Sequence, residues 1–223
     1  MSLIVIVPSR GRPAKARECY DAFMATALLP STKMVFVVDT DDGTFADYVG
    51  AKLPIVSYEH EGGGMGPPLN AAVKDLAPHH SIVGFVGDDH RFRTDGWDIE
   101  MTRCLDHKPG FAYGNDLARH DIPTQVFVSV PIVLALGWMS LPGARHLYLD
   151  NTWATLGSGA DCLSYLPDVV IEHMHPIYGK AEMDEGYARV NAGPMYEHDA
   201  AVFNLWVSSG QAERDVATVK AAL

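Results

Sequence analysis

A chain of 223 residues with 48% apolar content can bury one sizeable core, and its formal net charge of −11 argues against long-range attraction to nucleic acid or anionic membranes. No apolar run approaches the roughly 18 residues of a membrane span. The three cysteines, Cys19, Cys104 and Cys162, are too scattered for a Cys-x-x-Cys zinc or redox motif and read as reduced thiols.

The opening run "LIVIV" (3–7) has no basic segment before it, so it reads as a buried first strand rather than a signal peptide, with a cytoplasmic location expected. Pro13 suits the first position of a helix because its missing N–H would be unpaired there anyway; that helix places Cys19, Tyr20, Phe23, Met24 and Ala27 on one face. "MVFVV" (34–38) is a second strand, ended by the polar "DTDDG", and "PIVSY" (54–58) a third. The glycine loop "EGGGMGPP" precedes a helix that buries Leu69, Ala72, Val73 and Leu76. "IVGFV" (82–86) is the fourth strand and runs into Asp88-Asp89-His90. Asp95 reads as the N-cap of a helix burying Trp97, Met101, Cys104 and Leu105.

The second half is less regular. "QVFVSV" (125–130) and "DVVIEH" (168–173) read as strands, "PIVLALGWM" and "LDNTWATLG" as short helices, and the chain from about 199 as a helical tail broken near Gly210. Strand–helix alternation over the first ~110 residues predicts an α/β fold with a mostly parallel central sheet flanked by helices. No linker divides the chain, so residues 1–223 read as one domain: 1–110 a ligand-binding half, 111–198 a second half, and 199–223 the tail. Three strands end in polar clusters, and ligands of open α/β sheets bind in the crevice outside such ends.

Two hard carboxylates at a buried strand end, Asp88 and Asp89, suit Mg²⁺ or Mn²⁺; a capped turn is the plainer account of such a pair. His173 and His175 alternate, so both face one side if the strand persists. Arg10 and Arg12 follow the first strand with guanidinium forks that match phosphate oxygens. Asp39 and Asp41 could accept from a nucleobase N–H or ribose hydroxyls, or simply serve the turn. The glycine loop allows close backbone approach but matches neither a Walker A loop nor G-x-G-x-x-G. Asp150 lies at a loop-to-helix boundary, where it serves as a cap or as a general base.

Taken in order, these segments resemble a GT-A glycosyltransferase of the family-two type, in the nucleotide-diphospho-sugar transferase superfamily. The resemblance covers about residues 1–180. The family's first-strand turn appears here as "VIVPSRGRP", offering Pro8, Ser9 and Arg10 to the nucleotide sugar; its second strand ends in a base-contacting Asp, here Asp39 with Asp41 nearby. Its glycine loop and helix start appear as "GGGMGPPLNAAV", offering Gly66 and Asn70. The Asp-x-Asp metal motif appears as "GDDH": Gly87 stands where the first Asp would be, Asp88 in the middle on the ribose, and Asp89 at the metal-binding position. The acidic pair that carries the base appears as Asp150-Asn151, and the late metal histidine as His173 or His175, with His175 at the strand exit preferred.

The resemblance implies a Rossmann-like GT-A fold with an acceptor-side second half. It implies a divalent cation, Mn²⁺ or Mg²⁺, a nucleotide-diphosphate sugar donor such as a UDP-sugar, and a hydroxyl acceptor deprotonated by Asp150 with inversion. A saccharide or small-molecule acceptor comes ahead of a hydroxylated DNA base of the phage type. Two rivals share parts of the pattern. A sugar-phosphate nucleotidyltransferase would carry a Gly-rich, Arg-containing loop with a following Lys, which "PSRGRPAK" partly imitates. A degenerate nucleotide-binding module would explain Gly87 and Asn151 in place of acids.

Overall fold

The computed structural model describes residues 1–59 and 64–223; residues 60–63, the start of the glycine loop, lie outside the described residues. In chain order, β1 (Leu3–Ser9), α1 (Pro13–Thr26), β2 (Thr32–Val38), α2 (Phe45–Gly50), β3 (Ile55–Val56), α3 (Gly66–Leu76) and β4 (Ile82–Phe85) form the first half. They are followed by β5 (His90–Phe92), α4 (Trp97–His107), β6 (Phe111–Asn115), β7 (Val126–Ser129), α5 (Val130–Leu136), α6 (Leu149–Gly159) and β8 (Leu163–His173). The C-terminal helices are α7 (Glu185–Val190), α8 (Gly193–Ser208) and α9 (Gln211–Ala222).

The strands make one sheet in the order β3-β2-β1-β4-β7-β6-β8-β5. The β3-β2-β1-β4 half is parallel, as the alternation predicts. Beyond it β7 runs antiparallel to both β4 and β6, β8 is parallel to β6, and β5 is antiparallel to β8. A strand buried on both faces must be apolar at every position, and β1 shows why "LIVIV" is continuous: Ile4 and Ile6 pack with α3, α5 and α6, whereas Leu3, Val5 and Val7 pack with α1 and α4.

Several details differ from the sequence reading. β5 and β6 were not expected: β5 is three residues carrying His90 and Arg91, and β6, "FAYGN", contains a glycine. Both depend on pairing with β8, which begins at Leu163 rather than 168. Gly114 in β6 is required by that pairing, since a Cβ there would meet the Val169 carbonyl oxygen at 2.4 Å. Met24 points to solvent, 58% exposed, while Ala16, Cys19 and Phe23 form the buried stripe of α1. Asp95 does not cap α4; Gly96, at φ 71°, occupies that position. Asp98 in the helix's first turn instead accepts from the backbone N–H groups of Leu28 (3.0 Å) and Leu29 (2.8 Å). The break at Gly210 is present, at φ 72°. The tail helices are part of the core: Trp206, Ala212 and Val219 are buried in the cluster that includes α5 and α6.

Candidate active site

A cavity of about 370 Å³ opens at the carboxyl ends of β1, β2 and β4. The ends of these strands face one another because the strands are parallel and in register from Leu3↔Ile82 and Leu3↔Thr32. Pro8, Ser9, Arg10, Arg12, Asp39, Asp88 and Asp89 all line it.

The two adjacent carboxylates of Asp88 and Asp89 are buried and differently compensated. Asp88 accepts from Ser9 Oγ (2.7 Å), which also shares a hydrogen bond with the Tyr48 hydroxyl (2.8 Å), and from Arg12 Nη1 (3.3 Å). Burial, followed by the charge of Asp89, pushes the Asp88 carboxyl up to about 6 despite Arg12. Asp89 accepts from the Tyr187 hydroxyl at 2.7 Å and lies 3.4 Å from His173 Nε2. Burial opposes its charge, yet its partners, His173 foremost, hold it well below the usual carboxylate range.

Among the described residues, Asp89, His90 and His173 bring one potential ligand atom each to within 4.8 Å of one another. Tautomer chemistry separates the histidines. His90 Nδ1 accepts from the Gly87 N–H (3.0 Å) and also lies 3.3 Å from Asp89 Oδ1; with the backbone bond kept, a neutral ring carries its proton on Nε2 and has no free lone pair. The same holds for His175, whose Nδ1 accepts from the Ile177 N–H (3.2 Å). His173 has no such commitment: its Nε2 faces Asp89, and its enclosed Nδ1 lacks a partner. His90 stacks on His173 with centroids 4.3 Å apart and planes 12° from parallel, and His175 meets it edge-on at 5.1 Å. The arrangement therefore offers a carboxylate and one available imidazole, braced by two other rings. That donor set fits Mn²⁺ better than Mg²⁺, because imidazole is a poor ligand for the harder ion. His90 was missed as part of this group although it directly follows the two carboxylates.

Gly87 has its own reason. A Cβ there would lie 2.5 Å from Asp89 Oδ1 and 3.2 Å from His90 Nδ1. A side chain at the first position of an Asp-x-Asp motif would require Asp89 to shift from this packing.

The remaining expected residues divide. Arg10 bridges Asp39 (2.7 Å) and Asp41 (2.5 Å); Asp39 lines the cavity, while the Asp41 side chain is 78% exposed outside it. Gly66 and Asn70 face protein. A Cβ on Gly66 would meet the Ala144 oxygen at 2.6 Å, and the Asn70 amide accepts from Met139 and Ser140 N–H and donates to the Ser140 oxygen (2.7 Å). The glycine loop thus lets two backbones touch. Asp150 lines the cavity from the first turn of α6; it is not the cap, a position held by Tyr148 in the left-handed region at φ 63°. Its Oδ1 accepts from the Asn151 N–H at 2.9 Å, and burial pushes its carboxyl up.

Helix α7 closes one side. Arg12 lies over the Tyr187 ring, 4.0 Å from its centroid, and donates to Asp184 (2.7 Å), which also takes Lys15 (2.7 Å). Gly186 allows this contact, since a Cβ would meet Arg12 Nη2 at 2.8 Å.

No protein-family model matches the sequence, and no curated protein matches it. Solved structures do. S. aureus TarS superposes with a TM-score of 0.62 at 15% identity over 94% of this chain, which spans only 43% of that protein. Glucosyl-3-phosphoglycerate synthase from Mycobacterium tuberculosis, in complex with Mn²⁺, UDP and phosphoglyceric acid, gives 0.62 at 12% identity over 91% of this chain and 77% of that one. The chain has the GT-A fold. A third GT-A neighbour, mannosyltransferase PcManGT from Pyrobaculum calidifontis in complex with GDP-Man and Mn²⁺, gives 0.60 at 15% identity over 99% of this chain and 73% of that one. Within this fold Asp89, His173 and Asp150 line one cavity although they are far apart in sequence. No helix among the described residues is long and apolar enough to cross a membrane.

Proposed function

We propose that the protein is a metal-dependent glycosyltransferase that moves a sugar from a nucleotide-diphosphate sugar, a UDP-sugar in the first instance, to an acceptor hydroxyl. The observation that carries this reading is the convergence on one cavity of Asp89 with His173, of Asp39 with Arg10, and of Asp150. GT-A neighbours that hold UDP or GDP-mannose with Mn²⁺ support it.

Asp89 and His173 would hold the cation, which when bound supplies positive charge to the diphosphate leaving group. Asp39 and Asp88, at the ends of β2 and β4, would hold the nucleoside, and Ser9 and Arg12 keep Asp88 oriented. Asp150 is the general base. It takes the proton of the acceptor hydroxyl as that oxygen attacks the anomeric carbon, and its raised pKa makes it a stronger base than an exposed carboxylate. A single base facing the donor implies inversion. The cavity lining also includes Tyr178 and Arg119, which favours a ring-bearing polar acceptor such as a saccharide or small molecule.

The test is a thermal-shift screen of nucleotide sugars with Mn²⁺, followed by measurement of nucleoside diphosphate release. A donor that raises the melting temperature only with metal and is then consumed supports the reading. Pyrophosphate release from sugar 1-phosphate and nucleoside triphosphate would replace it with a nucleotidyltransferase.

A further inference from the structure

Asp199 belongs to the tail helix α8, beyond the stretch that resembles a glycosyltransferase. Its carboxylate is fully buried, yet it has more partners than most buried carboxylates need. Oδ1 accepts from the Arg145 N–H (2.9 Å), and Oδ2 accepts from His146 N–H (2.8 Å) and Leu147 N–H (2.7 Å). His198 Nδ1 lies 2.8 Å from Oδ1. Three consecutive backbone donors on one carboxylate fix a short chain segment in space, and ionised acceptors make such bonds strong.

What that segment carries gives the clamp its meaning. The next residue, Tyr148, holds the left-handed backbone conformation at φ 63°, which is costly for a bulky side chain and persists only where the surroundings impose it. Its ring stacks on Phe203, centroids 5.3 Å apart and planes at 26°. Phe203 is four residues after Asp199 on α8, so one helical stripe grips both the backbone before Tyr148 and its ring. Two residues later comes Asp150. His146, Leu147, Tyr148 and Asp150 all line the cavity. On the other side, the Arg145 oxygen accepts from the Gly66 N–H at 2.8 Å, tying the same segment to the glycine loop.

We propose that Asp199 is a positioning residue: through the 145–147 backbone it sets the place of Tyr148 and Asp150 at the cavity, and so makes the C-terminal helices part of the transfer machinery. The proposal rests on the glycosyltransferase reading for its consequence, but the clamp itself can be observed without any substrate.

Two measurements test it. Amide exchange of the wild-type protein should protect Arg145, His146 and Leu147 as strongly as the β1 strand, although they lie in a connecting segment; unprotected amides would overturn the proposal. The second compares Asp199→Asn with Val219→Ala, a substitution in α9 that weakens the tail away from the clamp. Asp199→Asn should lower turnover at least tenfold, with nucleoside diphosphate affinity in Mn²⁺ kept within about threefold, and should free the 145–150 amides selectively. Val219→Ala at matched melting temperature should do none of this. Equal loss of turnover in both variants, or loss of donor affinity alone, would mean ordinary structural support and would refute positioning. Should Asp199→Asn fail to fold, Phe203→Leu decides: it releases the Tyr148 ring and should reduce turnover with donor affinity kept, and unchanged turnover overturns the proposal. A wild-type protein that consumes no nucleotide sugar would count against the functional reading, while the exchange data would still decide whether Asp199 fixes the segment.

Discussion

The Tyr187 hydroxyl donates to Asp89 across 2.7 Å while its ring lies against the Arg12 guanidinium. One residue of α7 thus engages both the carboxylate proposed for the metal and the guanidinium that pairs with the Asp88 carboxylate. A cation that binds Asp89 Oδ2 must share or replace the phenol's hydrogen bond. Tyr187→Phe keeps the ring and its contact with Arg12 but removes that competition. Its affinity for Mn²⁺ alone should rise by roughly threefold to tenfold, in line with about 1 kcal/mol for a hydrogen bond partly retained in the complex. Calorimetric titration measures it, and weaker binding would instead make the phenol an orienting partner of the ligand.

The histidines give the sharpest ordering. His173 Nε2 (3.4 Å) and His90 Nδ1 (3.3 Å) both lie near Asp89, but the Nδ1 atoms of His90 and His175 accept from backbone N–H groups. His173→Ala should weaken Mn²⁺ binding at least tenfold and His175→Ala only a few-fold, the reverse of the order that the position of His175 before Pro176 suggests in sequence. Chelation with EDTA should correspondingly weaken nucleoside diphosphate binding, since Asp88 and Asp89 otherwise face the phosphates with like charge. Equal diphosphate affinity with and without EDTA would remove the metal from the reading.

Asp150→Asn tests the base. The side chain is not the α6 cap, so replacement should cost little stability, about 1 kcal/mol or less. Turnover should nevertheless fall by roughly 10² to 10⁴ with donor affinity retained. Because burial raises the Asp150 carboxyl, wild-type turnover should decline at a pH above the ordinary range for aspartate as the base becomes protonated. A folded Asp150→Asn protein with full turnover would exclude the role.

The parallel half of the fold was legible because its strands are buried on both faces and read as unbroken apolar runs; β1 and β4 are examples. β5 was not, since His90 and Arg91 are polar and their strand exists only through pairing with Glu172 and His173, some 80 residues away in sequence. The acidic strand end was equally visible, but which histidine ring keeps an uncommitted nitrogen was not. Which ring has a free lone pair depends on the backbone N–H groups of Gly87 and Ile177, and no side-chain pattern encodes those. Asn70 and Gly66 sat at expected motif positions, yet their partners, Ser140 and Ala144, come from a segment with no sequence signal of its own.

His146 predicts an acid-sensitive step in stability. Burial leads the effects that push its imidazole down to about 4, and its enclosed Nδ1 has no partner among the described residues. The folded protein therefore favours the neutral ring, while the unfolded chain takes up a proton near the ordinary histidine value, about 6.5. The unfolded state binds more protons between these values, so stability is complete above about pH 6.5 and falls as pH drops towards 4. Allowing for the ring's partial exposure, the loss attributable to this group is on the order of 2 kcal/mol. Melting curves over that range should show it in the wild type and a flatter profile in His146→Gln. Identical slopes would place the proton uptake elsewhere.

The final prediction concerns Gly87, where restoring an apparent consensus should do harm. An aspartate at this position would complete an Asp-x-Asp motif, which by pattern alone should improve a metal site. The geometry says otherwise. Any Cβ at 87 falls 2.5 Å from Asp89 Oδ1, well inside contact distance, so Asp89 or the backbone must move. The Gly87 N–H also holds His90 Nδ1, and His90 in turn stacks on His173. Displacement at 87 therefore passes to both the carboxylate and the imidazole proposed for the cation. Overpacking of this kind costs about 1–3 kcal/mol. Gly87→Ala isolates the steric part, and Gly87→Asp adds a third, half-buried charge beside two buried carboxylates. Gly87→Ala should lower both melting temperature and Mn²⁺ affinity, and Gly87→Asp should lower stability further. Tighter Mn²⁺ binding by Gly87→Asp in a stably folded protein would show that the strand end can rearrange to accept the motif, and that the glycine is not needed for packing.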